Sequence, residues 1–239
     1  MTLTVGVLAL QGAFYEHLKL LHKAATTLSP NDPQKWKFIE VRTPAQLDSC
    51  DGLIIPGGES TTISLVAARS QLLEPLRDFV KNHFGRQTES FQAPVNLPFL
   101  SEVCQEARNE SSPASFMGVF IRAPVVEKLL SFEDGVQVEE QRREGTVVAP
   151  SRQTEDPVAL KVKSNHVDVL AKLPGRVTRL AGTGVDIEAE ADAGDIVAVK
   201  QGNVFGTSFH PELTDDPRIH IWWLRQVENA VLKSQDPEK

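Results

Sequence analysis

The sequence predicts an α/β protein built on a parallel sheet. Short apolar runs at Leu3–Leu10, Trp36–Val41 and Leu53–Ile55 alternate with segments of helical spacing at Ala13–Leu28 and Ser60–Val80. Strands that alternate with helices fold as a parallel sheet covered by those helices. The third run stops at Pro56-Gly57-Gly58, a backbone signal for a tight turn at the end of a strand. The composition, 41% hydrophobic and 24% charged over 239 residues, is that of a globular protein able to bury one full core. A single domain over 1–239 is expected.

Each element has its own warrant. Leu3–Leu10 is apolar throughout and ends at Gln11-Gly12, as a buried strand would. Ala13–Leu28 places Phe14, Leu18, Leu21 and Ala25 at helical intervals. Ser60–Val80 continues as a helix until Pro75, which is expected to break or kink it because proline has no N–H and clashes with the preceding turn. Asn82–Pro98 reads as loop with a short strand at Thr88–Phe91, Ser101–Ser115 as a polar exposed excursion, and Val119–Arg122 as a strand. Glu133–Asp192 is heavily charged, with apolar runs at Thr146–Ala149 and Val167–Leu173, and is read as an insertion or extended loop region. Ile196–Lys200, the turn Gln201-Gly202-Asn203 and Val204–Phe209 spell a hairpin. Asp216–Lys233 is an amphipathic helix carrying Ile219, Trp222, Trp223 and Val227.

Charge and composition exclude several classes. With 25 basic against 32 acidic residues the net charge is −7, so neither nucleic acid nor an anionic membrane surface is an expected partner. No apolar run approaches the ~20 residues of a membrane span. The apolar start lacks a basic flank and runs into Gln11, Tyr15, Glu16 and His17, unlike a secretory signal. Two cysteines, Cys50 and Cys104, are too few for a disulfide framework or a usual zinc site. A reducing, cytoplasmic location and no bound metal are expected.

Two segments carry residues suited to chemistry. In Pro56-Gly57-Gly58-Glu59-Ser60-Thr61-Thr62 the glycines allow close backbone approach, and the helix start that follows offers unpaired N–H groups to an anion or oxyanion. The same pattern also fits a plain strand–helix turn capped by Ser60 or Thr61. In Ser208-Phe209-His210-Pro211-Glu212-Leu213, extended residues two apart point to one side, so Glu212 can orient the His210 imidazole as in a nucleophilic triad. Taken alone, the motif fits a turn histidine beside a solvated glutamate better. The other histidines, His17, His22, His83, His166 and His220, lack metal-ligand spacing and read as structural or surface residues.

Five blocks in order resemble the glutaminase subunit of pyridoxal 5′-phosphate synthase. They are Gly6–Phe14 with Glu16-His17, Asp51–Thr62, Asn82–Gln87 with Ser90-Phe91, Gly118–Pro124, and Ser208–Thr214. The charged stretch Gln137–Asp192 is similar to that of longer fungal members. The resemblance implies a flavodoxin-like three-layer fold with a central, mostly parallel sheet and a Cys-His-Glu triad. Glutamine would be hydrolysed to glutamate and ammonia, and the ammonia passed to a separate synthase subunit that makes the vitamin B6 cofactor. By position, His210 would be the general base and Glu212 its orienter. Gly58, Glu59 and Ser60 would hold the glutamine and help form the oxyanion hole, and Ile121 and Arg122 would also contact it. No cofactor is implied.

One family block is absent. A strand and a Gly-Thr-Cys-Ala-Gly nucleophile elbow should precede the Asn-x-Phe-Gly-Arg block, but here Lys81 runs directly into Asn82. Neither cysteine has the flanking glycines of such an elbow. The sheet is therefore expected to lack the nucleophile strand and its helix. The alternative to a working glutaminase is an inactive homologue or shortened isoform that only binds glutamine or the synthase partner.

Overall fold

β1 (Leu3–Leu8) lies at the centre of a three-stranded parallel sheet, between β2 (Trp36–Val41) and β3 (Gly52–Ile54). Its residues are almost all buried, as expected of a strand covered on both faces. The structure, a computed structural model, describes residues 1–58, 60–72, 76, 90–101, 103, 115–121, 128–129, 147–148, 167–173 and 195–235. These fall into two compact units, one around this parallel sheet and one around antiparallel strands.

The register of the first unit sorts its helices into layers. Gly6, Ile39 and Leu53 are paired across the sheet, as are Leu8 and Val41, so all five share a face. Leu8, Val41 and Leu53 cluster there with Leu47 of α2 (Pro44–Asp48) and Ala67 of α3 (Ser60–Arg69). Val5, Phe38 and Gly52 share the opposite face. There the ring of His22, on α1 (Phe14–Leu28), meets Phe38 edge-on. Val227 and Trp223, on α4 (Arg218–Gln235), close over Gly52. This unit is therefore a three-layer α/β arrangement.

The buried stripe of α1 is His17, Leu20, Leu21 and Ala24, one position off the stripe expected from Phe14, Leu18, Leu21 and Ala25. The end of α3 also differs from expectation. It stops at Arg69, six residues before Pro75, which lies outside the described residues. Gln71 takes a left-handed φ of 59°. Leu72 N–H donates to Ala67 O at 2.9 Å and Gln71 N–H to Ala68 O at 3.3 Å. This is a Schellman stop, sealed by buried Ala67 and Leu72, with glutamine where glycine is usual.

The second unit contains β4 (Ser90–Asn96) paired antiparallel with β5 (Ser115–Ile121), and a sheet of β8 (Asp168–Leu173), β9 (Asp195–Gln201) and β10 (Val204–Thr207). The two-stranded pair β6 (Lys128–Leu129) and β7 (Val147–Val148) completes the described strands. β4 corrects the reading of Asn82–Pro98 as mainly loop. It runs seven residues through Pro94, which the β4–β5 pair tolerates because proline is accepted at sheet edges. Phe116, Phe120 and Phe209 pack together on its buried side. The hairpin turn forms with Gly202 at φ 56°. Most of the charged region near 133–192 lies outside the described residues. Among the described residues no helix is long and apolar enough to cross a membrane.

Among the described residues, no strand pairs with the outer edge of β3. The sequence also lacks the strand-and-elbow segment that the family resemblance would place after Lys81. An unpaired edge invites association, and a shortened sheet weakens coupling along it. All three tryptophans, Trp36, Trp222 and Trp223, lie in the first unit. Tryptophan fluorescence is therefore expected to melt out of step with the calorimetric transition, and the chain to aggregate more readily than a form with the segment restored. A single transition with equal van't Hoff and calorimetric enthalpies would contradict this.

Candidate active site

Three loops of the first unit meet at the carboxyl ends of its strands, where open α/β sheets place their sites. Gln11-Gly12 follows β1, Pro56-Gly57-Gly58 follows β3, and His210 begins the final turn. Gly12 has φ 89°, and a Cβ there would strike the carbonyl of Gly57. A Cβ on Gly57 would come within 2.8 Å of His210 Cε1, and one on Gly58 would strike the Gln11 side chain. The glycines therefore let the two loops and the imidazole close on one another.

His210 is held by a short 3-10 turn, Pro211–Leu213, rather than by the extended strand that the two-residue spacing suggested. Leu213 N–H donates to His210 O at 3.3 Å and the Thr214 hydroxyl to Pro211 O at 2.9 Å. The turn folds Glu212 back beneath the imidazole, with His210 Nδ1 2.7 Å from Glu212 Oε1. The Glu212 side chain is 1% exposed and that of His210 is 21% exposed. The carboxylate is thus sealed in while the imidazole keeps an open side. This is the base-and-orienter half of a triad.

Two further imidazoles stand behind Glu212, His17 in contact with it and His220 in contact with His17, and the sequence reading placed neither in the site. His17 Nε2 lies 3.3 Å from Glu212 Oε2. His17 Nδ1 lies 3.0 Å from His220 Nε2. Both rings are buried, so of the structural or surface roles expected for them the surface one is excluded. His17 stands at helical spacing from Leu20, Leu21 and Ala24, and that stripe was the available signal.

Burial pushes His17 below its ordinary value against the pull of Glu212. It drives His220 down to about 3, with the neighbouring His17 adding to the effect. Burial alone would raise the Glu212 carboxyl, but its hydrogen bond with His210 and the facing His17 overcome this and hold it below the usual range. At neutral pH the group is therefore one buried carboxylate with neutral His17 and His220 behind it.

The remaining site residues are spread over the chain. Gly58 is in the loop beside Gln11, and the backbone of Ser60 opens α3. Ile121 ends β5 in the other unit with its side chain exposed. Glu59, Arg122 and Cys104 lie outside the described residues. Cys50 precedes β3, at the opposite end of the sheet from Gly57, which follows it. Its thiol donates to Gln46 O at 3.2 Å, and burial pushes its pKa up, the reverse of an activated nucleophile. Among the described residues no group of acidic, histidine and cysteine side chains could hold a metal ion.

Comparison with known proteins then decides the lineage. The family model of the SNO glutamine amidotransferases matches residues 7–83, 81–163 and 161–229. The chain belongs to the SNO glutamine amidotransferase family. The first junction between matched stretches, at 81–83, falls where the sequence of this family member lacks the elbow. The chain is 30% identical to the pyridoxal 5′-phosphate synthase subunit PdxT of Pyrococcus furiosus, over 93% of this chain and 98% of the relative. That alignment spans 261 positions, more than the chain's 239 residues, so it opens gaps in this chain. It is also 30% identical to a probable pyridoxal 5′-phosphate synthase subunit PDX2 of Arabidopsis thaliana, over 95% of this chain and 86% of the relative. A crystal structure of a glutamine amidotransferase superposes with a TM-score of 0.52 at 29% identity, covering 94% of this chain and 98% of the other. The SNO member thus has the flavodoxin-like α/β fold of a glutamine amidotransferase.

Proposed function

We propose that this chain is the glutaminase-type subunit of a pyridoxal 5′-phosphate synthase, acting as one functional domain over 1–239 with a cytoplasmic synthase subunit as partner. In this role, once a nucleophile is supplied, glutamine gives up its amide nitrogen as ammonia for the assembly of the vitamin B6 cofactor. The observation that carries the reading is the His210–Glu212 pair at 2.7 Å, closed against Gly57 at the carboxyl end of the sheet. His210 is the general base and Glu212 its orienter. By the family resemblance, Gly58, Glu59 and Ser60 would hold the glutamine and help form the oxyanion hole, and Ile121 and Arg122 would also contact the substrate. The Arg122 guanidinium, always charged and forked, suits the α-carboxylate of glutamine.

The pocket lacks the walls that the nucleophile elbow would supply. Glutamine is therefore expected to bind weakly, with a Kd near ~1 mM, about −4 kcal/mol. Titration calorimetry on the whole chain checks this, and Arg122→Ala should abolish the signal. Tight binding that Arg122→Ala leaves unchanged would show that the pocket lies elsewhere.

A further inference from the structure

The imidazole pair behind Glu212 has a definite protonation pattern, and that pattern bears on His210. His17 comes from α1 and His220 from α4, and together they bridge Glu212 to the interior. Buried polar groups are kept where their hydrogen bonds are answered. The titratable groups that face His17 are Glu16 on its own helix, Glu212 and His210 on the final turn, and His220 on α4.

Glu212, ionised, can only accept hydrogen bonds. Each imidazole touching it must therefore present an N–H: His210 from Nδ1 and His17 from Nε2. A neutral imidazole carries one proton, so His17 Nδ1 is an acceptor and His220 Nε2 must donate to it at 3.0 Å. That leaves His220 Nδ1 as a bare lone pair. This atom is buried with no hydrogen-bond partner among the described residues. The opposite assignment would bury an unanswered N–H at His220 and set a bare His17 Nε2 against the carboxylate at 3.3 Å. An unmet lone pair at the end of the chain is the cheaper outcome.

We propose that His17, anchored by His220, is a positioning residue for His210: the hydrogen-bond chain His220 to His17 to Glu212 fixes the carboxylate so that it accepts from His210 Nδ1, leaving His210 Nε2 unprotonated as the basic nitrogen. This rests on the reading of His210 as the general base. It extends that reading to two side chains from the helices covering one face of the sheet. The relay moves no proton at rest. It selects one tautomer of His210, the Nδ1–H form that an isolated neutral imidazole populates less.

Imidazole nitrogen shifts of the ¹⁵N-labelled full chain, followed by NMR from pH 5.5 to 8, test this directly. His17 and His220 are expected as neutral Nε2–H tautomers, and neutral His210 as Nδ1–H. In His17→Phe, His210 should lose that preference and move toward the Nε2–H form. In His17→Gln, whose amide N–H replaces the donor at Nε2, it should recover the Nδ1–H form. A wild-type spectrum showing His17 as Nδ1–H overturns the proposal without any variant. So does a His210 tautomer that is the same in wild type and a folded His17→Phe. Failure of the general-base reading is separate: it would appear as full glutaminase turnover in a segment-restored chain carrying His210→Asn, with the wild-type tautomers as expected.

Discussion

Mixed with a synthase subunit, this chain is expected to release ammonia from glutamine about 10⁶-fold more slowly than the same chain with the family's strand, Gly-Thr-Cys-Ala-Gly elbow and helix restored after Lys81. Hydrolysis in this triad class begins with a thiolate attacking the carboxamide carbon to form a glutamyl-enzyme intermediate. His210 and Glu212 can take and return a proton, but neither replaces the attacking sulfur. Removing the nucleophile of a comparable serine triad costs on the order of 10⁶ in kcat, and the residual rate comes from binding and the oxyanion hole. The hole is affected too, because one of its donors is the N–H after the nucleophile in such an elbow. Cys50 is at the wrong end of the sheet with its thiol pKa raised, which leaves Cys104 as the internal alternative. Ammonia release should therefore be measured for the chain as it stands, for Cys104→Ser and for the restored form. Family-level turnover by the unmodified chain would overturn the prediction, and its loss in Cys104→Ser would name the substitute. Turnover only on restoration would show His210 and Glu212 to be a competent half-triad awaiting its thiol.

The fluorescence-monitored stability of the first unit is expected to decline steeply below pH 6.5. His220 ionises near 6.5 when unfolded and near about 3 when folded. The folded value lies below the unfolded one, so the unfolded chain takes up the proton first. The stabilisation is complete above pH 6.5 and is lost as the pH falls toward 3. One such group costs about 1.4 kcal/mol for each pH unit below 6.5. His17 is shifted in the same direction by the same burial and adds to the loss. Glu212, also held below its ordinary value, contributes further loss once the pH enters the carboxylate range. Urea midpoints from tryptophan fluorescence at pH 7.5, 6.0 and 5.0 measure the slope. His220→Phe should flatten it by about one proton, and an equal slope in the two proteins would contradict this account.

Local patterns made the scaffold readable. Trp36–Val41 is a strand to the residue, because aromatic and β-branched residues interrupted only by Lys37 and Glu40 and bounded by polar turns have one good solution. The hairpin around Gly202 followed from turn chemistry. β4 was less visible: Gln92, Pro94 and Asn96 line its open side and obscure the alternation with Ala93 and Val95. The end of α3 is not legible because a glutamine occupies the left-handed stop position where glycine is the usual signal, while Pro75 is a stronger stop signal further along. His210 and Glu212 were legible as a two-residue motif. Their supports were not, since His17 and His220 are 203 positions apart in sequence and only tertiary packing joins them.

That separation has a consequence for the order in which the site comes into being. Synthesis proceeds from the amino end, so Gln11, His17 and the Gly57-Gly58 loop emerge well before anything they serve. The base, its carboxylate and its innermost support all arrive between His210 and His220, near the last helix. Contacts between such distant segments form late, after the loop between them has closed. Until α4 docks against α1, the first loops face solvent with no imidazole to close them. Competence at this site is thus a record of completed folding: the first and last helices must meet before His210 has a fixed proton.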